Sequence, residues 1–315
     1  MDCLPVEEEN DVPYRSQNPG FMHACGHDAH TSILLAVARL LAARRLEIPG
    51  TIKFAFQPAE ESHGGGRHMV EEGVLENPHV DACFALHVWN TIPVGRIGIV
   101  EGPAMAGTGL FDVRMIGKGG HGAAPHLTVD PIVAASQAVL GVQTIISRNR
   151  DPLTPAVITI GRFHGGTAPN VIPDEVELCG TIRSFDDAVH EFLAERVRQV
   201  FEGAAAGAGC TVAWDYHRGY PVVINDPVMC GLVRDAAADV VGAVNVVTEK
   251  PSLGGEDFAY YARERPSCIF FVGSANAERG LSHPHHNPKF DIDEDAMRIG
   301  ALAMVRVVEK YLSMG

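Results

Sequence analysis

From His23 to Thr31 the chain reads His-Ala-Cys-Gly-His-Asp-Ala-His-Thr, which brings three imidazoles, one thiol and one carboxylate together. A thiolate and a neutral imidazole are good donors for a borderline-soft divalent ion such as zinc. Cys25 and His27 flank one glycine, so an extended segment there points both side chains the same way. Gly26 lets the backbone approach an ion closely. A lone histidine would be read as a cap on a core helix; the clustering of ligand types favours an ion site instead. Further donors recur downstream: the adjacent Glu60 and Glu61, His87 at the close of an apolar run, and His286 within His283-Pro-His-His-Asn-Pro288. Cys25, His27, Glu61, His87 and His286 outnumber the three protein donors of a mononuclear catalytic zinc site, which suggests two ions sharing one bridge. Either the thiolate or a carboxylate suits the bridge. Of Glu60 and Glu61, one can ligate while its neighbour takes a proton from an attacking water.

The elements that must position these residues alternate in type. A helix is expected over about Thr31–Ala43, a strand over Thr51–Phe56, a helix from Gly64-Gly65-Gly66 to about Gly73, and a strand over Ala82–Leu86 that ends on His87. Such alternation implies a largely parallel sheet with ligands at the carboxyl ends of its strands, where Glu60, Glu61 and His87 fall. Because successive strand residues point opposite ways, Glu60 and Glu61 belong on a turn or bulge after Pro58. From about residue 107 the rhythm becomes β-α-β-β-α-β, that of an inserted ferredoxin-like α+β domain. The expected division is a catalytic domain of residues 1–107 and 219–315 and an inserted domain of residues 108–218, with hinges at Met105-Ala-Gly107 and Gly219-Tyr-Pro221. A helix over about Pro227–Val240, a short one opening at Gly254–Phe258, a strand over Cys268–Val272 and a closing helix over about Glu294–Tyr311 complete the chain.

With 315 residues, 46% of them apolar and 20% charged, the chain has the composition of a globular protein with a sizeable core. A net charge of −14 argues against a nucleic-acid footprint. The seven cysteines are scattered and odd in number, which suits reduced thiols in a cytoplasm better than a disulfide framework. No run has the length of a membrane span, and the acidic start differs from a secretory signal.

The ordered motifs His23-Ala-Cys-Gly-His-Asp-Ala-His-Thr31, Phe56-Gln-Pro-Ala-Glu-Glu61, Ala85-Leu-His-Val-Trp89, Gly117-Lys-Gly-Gly-His-Gly122, Gly165-Gly-Thr-Ala-Pro-Asn-Val-Ile-Pro173, Gly254-Gly-Glu-Asp-Phe258 and His286-Asn-Pro288 span nearly the whole sequence. In them the chain resembles the aminoacylase and glutamate-carboxypeptidase family of di-metal peptidases, and within it the hippurate hydrolase and indoleacetyl-amino-acid hydrolase branch. The resemblance implies a metallopeptidase domain with an inserted lid and dimerisation domain. It implies two divalent ions, zinc or manganese first and cobalt or nickel as alternatives, held by Cys25, His27, Glu61, His87 and His286, with Cys25 as the bridge and His286 rather than His285 as the ligand. Glu60 falls on the general base. His121 falls on a residue that reaches a partner subunit's site to hold an oxyanion, and Asn170 and Arg183 fall on substrate contacts, the guanidinium fork suiting a carboxylate. Glu256 and Asp257 receive no role and read as helix N-terminal carboxylates.

The implied reaction is hydrolysis of the amide bond of an N-acyl amino acid, such as a hippurate-like, acetyl or indoleacetyl conjugate, by a homodimer that binds neither nucleic acid nor membrane. Compared with the family pattern the chain begins inside an Asp-Met-Asp-Ala-Leu-Pro-like segment, at Met1-Asp-Cys-Leu-Pro5. An N-terminally truncated domain is therefore expected, with a missing strand, an exposed sheet edge and Asp2, a carboxylate expected to orient the metal site, on a fraying end. Three alternatives accompany this reading: a weakly active or non-catalytic homologue, a thiol hydrolase built on Cys25 with His27 or His30, and an aminopeptidase on the same fold.

Overall fold

Every fourth residue from Ala29 to Leu41 is apolar and buried, so the helix α1 (His27–Ala43) lays one stripe against the core. This structure, a computed structural model, describes residues 2–314; the outermost residues of the expected catalytic domain, Met1 and Gly315, lie outside them. The chain divides into two compact units. Unit 1 comprises Met1–Ala104, Val223–Pro251 and Glu256–Gly315, and unit 2 comprises Met105–Val222 and Ser252–Gly255.

After α1, unit 1 continues with α2 (Gly65–Glu71), β1 (Cys83–Pro93), β2 (Ile97–Ile99) and β3 (Gly102–Met105), at whose end unit 2 begins. Unit 2 holds β4 (Gly107–Ile116), β5 (Gly120–His121), α3 (Pro131–Thr144), β6 (Ala156–Gly165), β7 (Val171–Ile172), β8 (Glu175–Ser184), α4 (Asp187–Ala208) and β9 (Thr211–Arg218). The chain returns to unit 1 through β10 (Val223–Asn225), α5 (Pro227–Val241), β11 (Val246–Thr248), α6 (Ala259–Glu264), β12 (Ser267–Ala275) and α7 (Asp295–Leu312).

The main sheet of unit 1 has the order β1-β12-β2-β11. Strands β1 and β12 run parallel, as do β2 and β11, but β12 and β2 are antiparallel. The sheet is therefore mixed rather than largely parallel. Ser267–Ser274 of β12 are all buried, as a strand covered on both faces requires. Helix α7 packs on α1, α5 and β12, and Val37, Val233, Phe270, Val272 and Val307 meet in one core.

Two expected elements of this unit differ. Thr51–Phe56 alternates like a strand but pairs with no other strand among the described residues. Ile52 and Phe54 still pack on the core, while the Lys53 ammonium donates to the carbonyls of Val74, Glu76 and Pro78. Side-chain alternation supplies the burial, but a strand also needs a ladder partner. The second difference concerns His87. Strand β1 runs six residues beyond it to Pro93, so His87 lies in mid-strand rather than at a carboxyl end.

Unit 2 has the order β6-β8-β4-β9 with every neighbouring pair antiparallel. The burial of β4 alternates residue by residue, the signature of a sheet covered on one face. Helices α3 and α4 cover that face, with Phe111, Leu178, Leu193 and Phe201 at the centre of a second core. Asp130 caps α3 through the Ile132 amide with Pro131 at the first helical position, and Asp186 caps α4 through the Val189 amide. No helix among the described residues is long and apolar enough to cross a membrane.

Candidate metal centre

Cys25 and His27 are not on an extended segment. Gly26 between them adopts a left-handed conformation (φ 80°) and His27 is already the first residue of α1, four positions before the expected start. A Cβ at Gly26 would also stand 2.5 Å from Val88 Cγ2. The close approach of this turn to β1 is what brings Cys25 Sγ to 3.5 Å from His87 Nε2.

Strand β1 is an edge strand, and the main-chain groups of Val88 are taken by imidazoles. The Val88 amide donates to His30 Nε2 at 3.0 Å. The Val88 carbonyl accepts from His87 Nδ1 at 2.6 Å and from His285 Nε2 at 3.0 Å. These bonds fix the tautomers of the neutral rings, so that His87 keeps its Nε2 lone pair aimed at Cys25. Burial first, and then the neighbouring imidazoles, push His87 well below its ordinary value and His30 down to about 3. Burial likewise pushes His285 down to about 4. All three are neutral, the form in which an imidazole ligates.

Glu60 and Glu61 lie on a turn, as expected, though no strand precedes it. Ala59 is left-handed (φ 60°), and its carbonyl accepts from the amides of His63, Gly64 and Gly65. Glu61 Oε1 sits 3.4 Å from His286 Nε2 and 3.9 Å from His27 Nε2. That oxygen is buried and accepts no hydrogen bond among the described residues. On the far side of His27, Nδ1 lies 3.4 Å from Asp2 Oδ2, and the same oxygen accepts from the Glu61 amide at 2.9 Å. Asp2 is thus tied to the centre rather than fraying.

Donor atoms of Cys25, His27 and His87 all lie within 4.8 Å of one another, and so do those of Cys25, Glu61 and His286. The two sets share Cys25. His286, itself left-handed (φ 66°), reaches Glu61, whereas His285 is occupied by Val88 and its ring lies tilted against Trp89 and Phe290, 5.0 Å from each centroid to centroid. Donor atoms of Asp2, His27 and Glu60 form a third set, and those of Glu60, Glu256 and Asp257 a fourth.

The electrostatics favour a cation. Burial pushes the Glu60 carboxyl up to about 10, aided by Glu256, Glu61, Asp257 and Asp2. Burial and then Glu61 and Glu60 push the Cys25 thiol well above its ordinary range. Burial also acts to raise Glu61, but His286 and His27 outweigh it and leave that carboxyl lowered. A sulfur, three imidazole nitrogens and a buried, unsatisfied carboxylate oxygen facing one another form a donor set suited to divalent ions, whose charge offsets this crowding.

The other candidates lie in unit 2. His121 pairs with Val171 where β5 meets β7, and next to this pair the Gly122 amide donates to the Asn170 carbonyl at 2.8 Å. His121 Nδ1 accepts from the Ala123 amide at 3.0 Å, which leaves the proton of the neutral ring on Nε2. Beside them lies an open cavity of about 630 Å³ whose lining includes Gly122, Ile132, Gly166 and Ile172. Arg183 is on β8 between Thr108 and Val157, and burial lowers its pKa.

Glu256 and Asp257 stand just ahead of α6, where Glu256 Oε1 accepts from the Phe258 amide at 3.1 Å, and both are buried against Glu60. The available signal was an acid pair lodged between Gly-Gly and the aromatic run Phe258-Ala-Tyr-Tyr261 without a neighbouring cation.

Comparison with known proteins extends over the whole chain. The profile described as peptidase family M20/M25/M40 matches residues 1–310. The chain is 40% identical to the IAA-amino acid hydrolase ILR1-like 4 of Arabidopsis thaliana, over 99% of this chain and 71% of that protein. It is 42% identical to the N-acetyl-L-cysteine deacetylase of Bacillus subtilis, over 94% of this chain and 69% of that protein. Among solved structures it resembles the Bacillus subtilis YXEP protein, a dinuclear metal binding peptidase from the M20 family, with a TM-score of 0.81 and 35% identity over 99% of this chain and 80% of that one.

Proposed function

This chain belongs to peptidase family M20/M25/M40, and on that premise we propose that it hydrolyses the amide bond of N-acyl amino acids at a centre of two divalent ions. The observation that carries the proposal is the pair of three-donor sets meeting at Cys25, with Glu60 beside them. His27 and His87 with Cys25 would hold one ion, and Glu61 and His286 with Cys25 the other. Ions held there supply Lewis acidity toward the scissile carbonyl and make water a better acid near neutral pH.

The chain's own residues do the rest. Glu60 takes the proton of the attacking water and delivers it to the departing amine nitrogen. Its neighbour Glu61 stays ionised, held low by His286 and His27, and so remains a ligand. His121 offers an Nε2 proton suited to a developing oxyanion, and Asn170 beside it offers an amide to the substrate. Arg183 is assigned the substrate carboxylate. The names of the two relatives, one acting on IAA-amino acids and the other on N-acetyl-L-cysteine, support a blocked amino acid as the substrate class. The reading includes pairing of two copies through unit 2, as the inserted lid and dimerisation domain. A Cys25 thiol pushed above its ordinary range is a poor nucleophile, which disfavours a thiol hydrolase.

The test is a hydrolysis screen on benzoyl-, acetyl- and indoleacetyl-amino acids before and after chelation, with metal added back. Turnover that is lost with metal and returns with it supports the proposal. Turnover that survives chelation, or no turnover on any of these substrates by the metal-loaded protein, overturns it.

A further inference from the structure

The segment that carries Glu60 and Glu61 is fastened at both ends by a carboxylate from the other end of unit 1. Asp257 Oδ1 accepts from Gln57 Nε2 at 2.6 Å, across 200 positions of sequence. Asp257 Oδ2 accepts from the Gly66 amide at 2.8 Å. Gln57 and Gly66 bracket the turn. Between them the chain reverses so tightly that Ala59 is left-handed and its carbonyl collects three amides.

The packing around the clasp leaves no room for side chains. A Cβ at Gly65 would stand 1.7 Å from the Pro58 carbonyl oxygen. One at Gly66 would stand 2.9 Å from the Asp257 carbonyl oxygen and 2.7 Å from Gln57 Oε1. Asp257 is fully buried, and beside these two amides it hydrogen-bonds the Glu256 side chain. Glu60 lies against the same group, its carboxylate within 4.8 Å of those of Glu256 and Asp257.

We propose that Asp257 is a positioning residue for Glu60 and Glu61: by clasping Gln57 and Gly66 it fixes where the turn presents the proton-transferring carboxylate and its ligand neighbour. The inference rests on the functional reading of those two glutamates and adds to it a residue outside the two donor sets that meet at Cys25. Asn at this position keeps an oxygen for the Gly66 amide, and its NH2 group meets Gln57 once that amide turns over. Ala loses both bonds.

The experiment compares wild type, Asp257→Ala, Asp257→Asn and Glu60→Gln for kcat, KM, thermal unfolding and the rate of metal loss to a chelator. Asp257→Ala should stay folded, lose about 30-fold or more in kcat with KM within about threefold, and release metal about tenfold faster, because a displaced turn misplaces base and ligand but not substrate contacts. Asp257→Asn should recover kcat to within about fivefold of wild type. Wild-type kcat and metal retention in Asp257→Ala overturn the proposal, and so does an Asp257→Asn as impaired as Asp257→Ala. An active Glu60→Gln overturns the functional reading itself; an inactive Glu60→Gln beside an unaffected Asp257→Ala overturns the positioning role alone. If Asp257→Ala fails to fold, Gln57→Met, which deletes one of the two bonds, is read by the same criteria.

Discussion

His87 Nε2 faces Cys25 Sγ at 3.5 Å because the opposite nitrogen of the ring is held by the Val88 carbonyl at 2.6 Å. The tautomer that this bond imposes is the one a metal ligand needs, and Cys25 is the atom on which both donor sets converge. Removing the shared donor and removing a donor from one set should therefore differ. Metal analysis is expected to find about two ions per chain in the wild type, close to one in His87→Ala or His286→Ala, and well under one in Cys25→Ala. Equal losses in the three variants would show that the thiol is not shared.

Glu60→Gln should bind metal as the wild type does and lose about 10²–10⁴-fold in kcat, the usual worth of a positioned proton-transfer group. Steady-state kinetics paired with metal content separates this outcome from simple loss of the ions.

Gly26→Ala attacks the turn that brings Cys25 to β1. The left-handed backbone and the 2.5 Å approach to Val88 Cγ2 both penalise a Cβ. A loss of roughly 2–4 kcal/mol in urea unfolding is expected, together with weaker metal binding.

In unit 2, Phe201 is fully buried and lies 6.3 Å, ring to ring, from Phe111. Phe201→Ala should cost about 3–5 kcal/mol through lost burial and the cavity left behind. Denaturant unfolding of the metal-loaded protein measures it.

His190 gives a pH dependence away from the metal centre. Tyr216 Oη donates to its Nε2 at 2.7 Å, and its Nδ1 lies 3.2 Å from Ser184 Oγ, which itself donates to the Asp186 carbonyl. Burial, with Arg218, pushes its pKa down to about 4 from 6.5. The unfolded chain therefore binds a proton in this window that the folded chain does not, so stability is fully present above about pH 6.5 and falls as pH drops toward 4. The loss is on the order of 3 kcal/mol. Unfolding of His190→Gln across the same window should show a shallower slope than the wild type; an identical slope would remove His190 as the cause.

Much of this was legible in the sequence, though not always for the right local reason. The types and spacing at Cys25 and His27 pointed to a metal, but the geometry comes from a left-handed glycine at a helix start and not from strand alternation. The β-α-β-β-α-β rhythm of unit 2 was readable because each strand carries its own alternation and each long helix its own cap. Thr51–Phe56 misled because a ladder depends on a partner that the segment itself does not encode. The direction of β2 against β12 is likewise set by pairing between distant segments, beyond what periodicity carries. The role of Asp257 was not legible for the same reason, since its partners are an amide 200 positions away and the backbone of a glycine.

The backward-turned main chain at His286 has a consequence for how the protein breathes. An imidazole-bearing residue held at φ 66° carries a penalty of roughly 1–2 kcal/mol that glycine would avoid, and glycine has no ring to offer. Whatever grips that ring also keeps the backbone in its uncomfortable pose. Stripping the ions should thus be felt first in the hydrogen-exchange rates of residues 283–288, well before the surrounding sheet loosens.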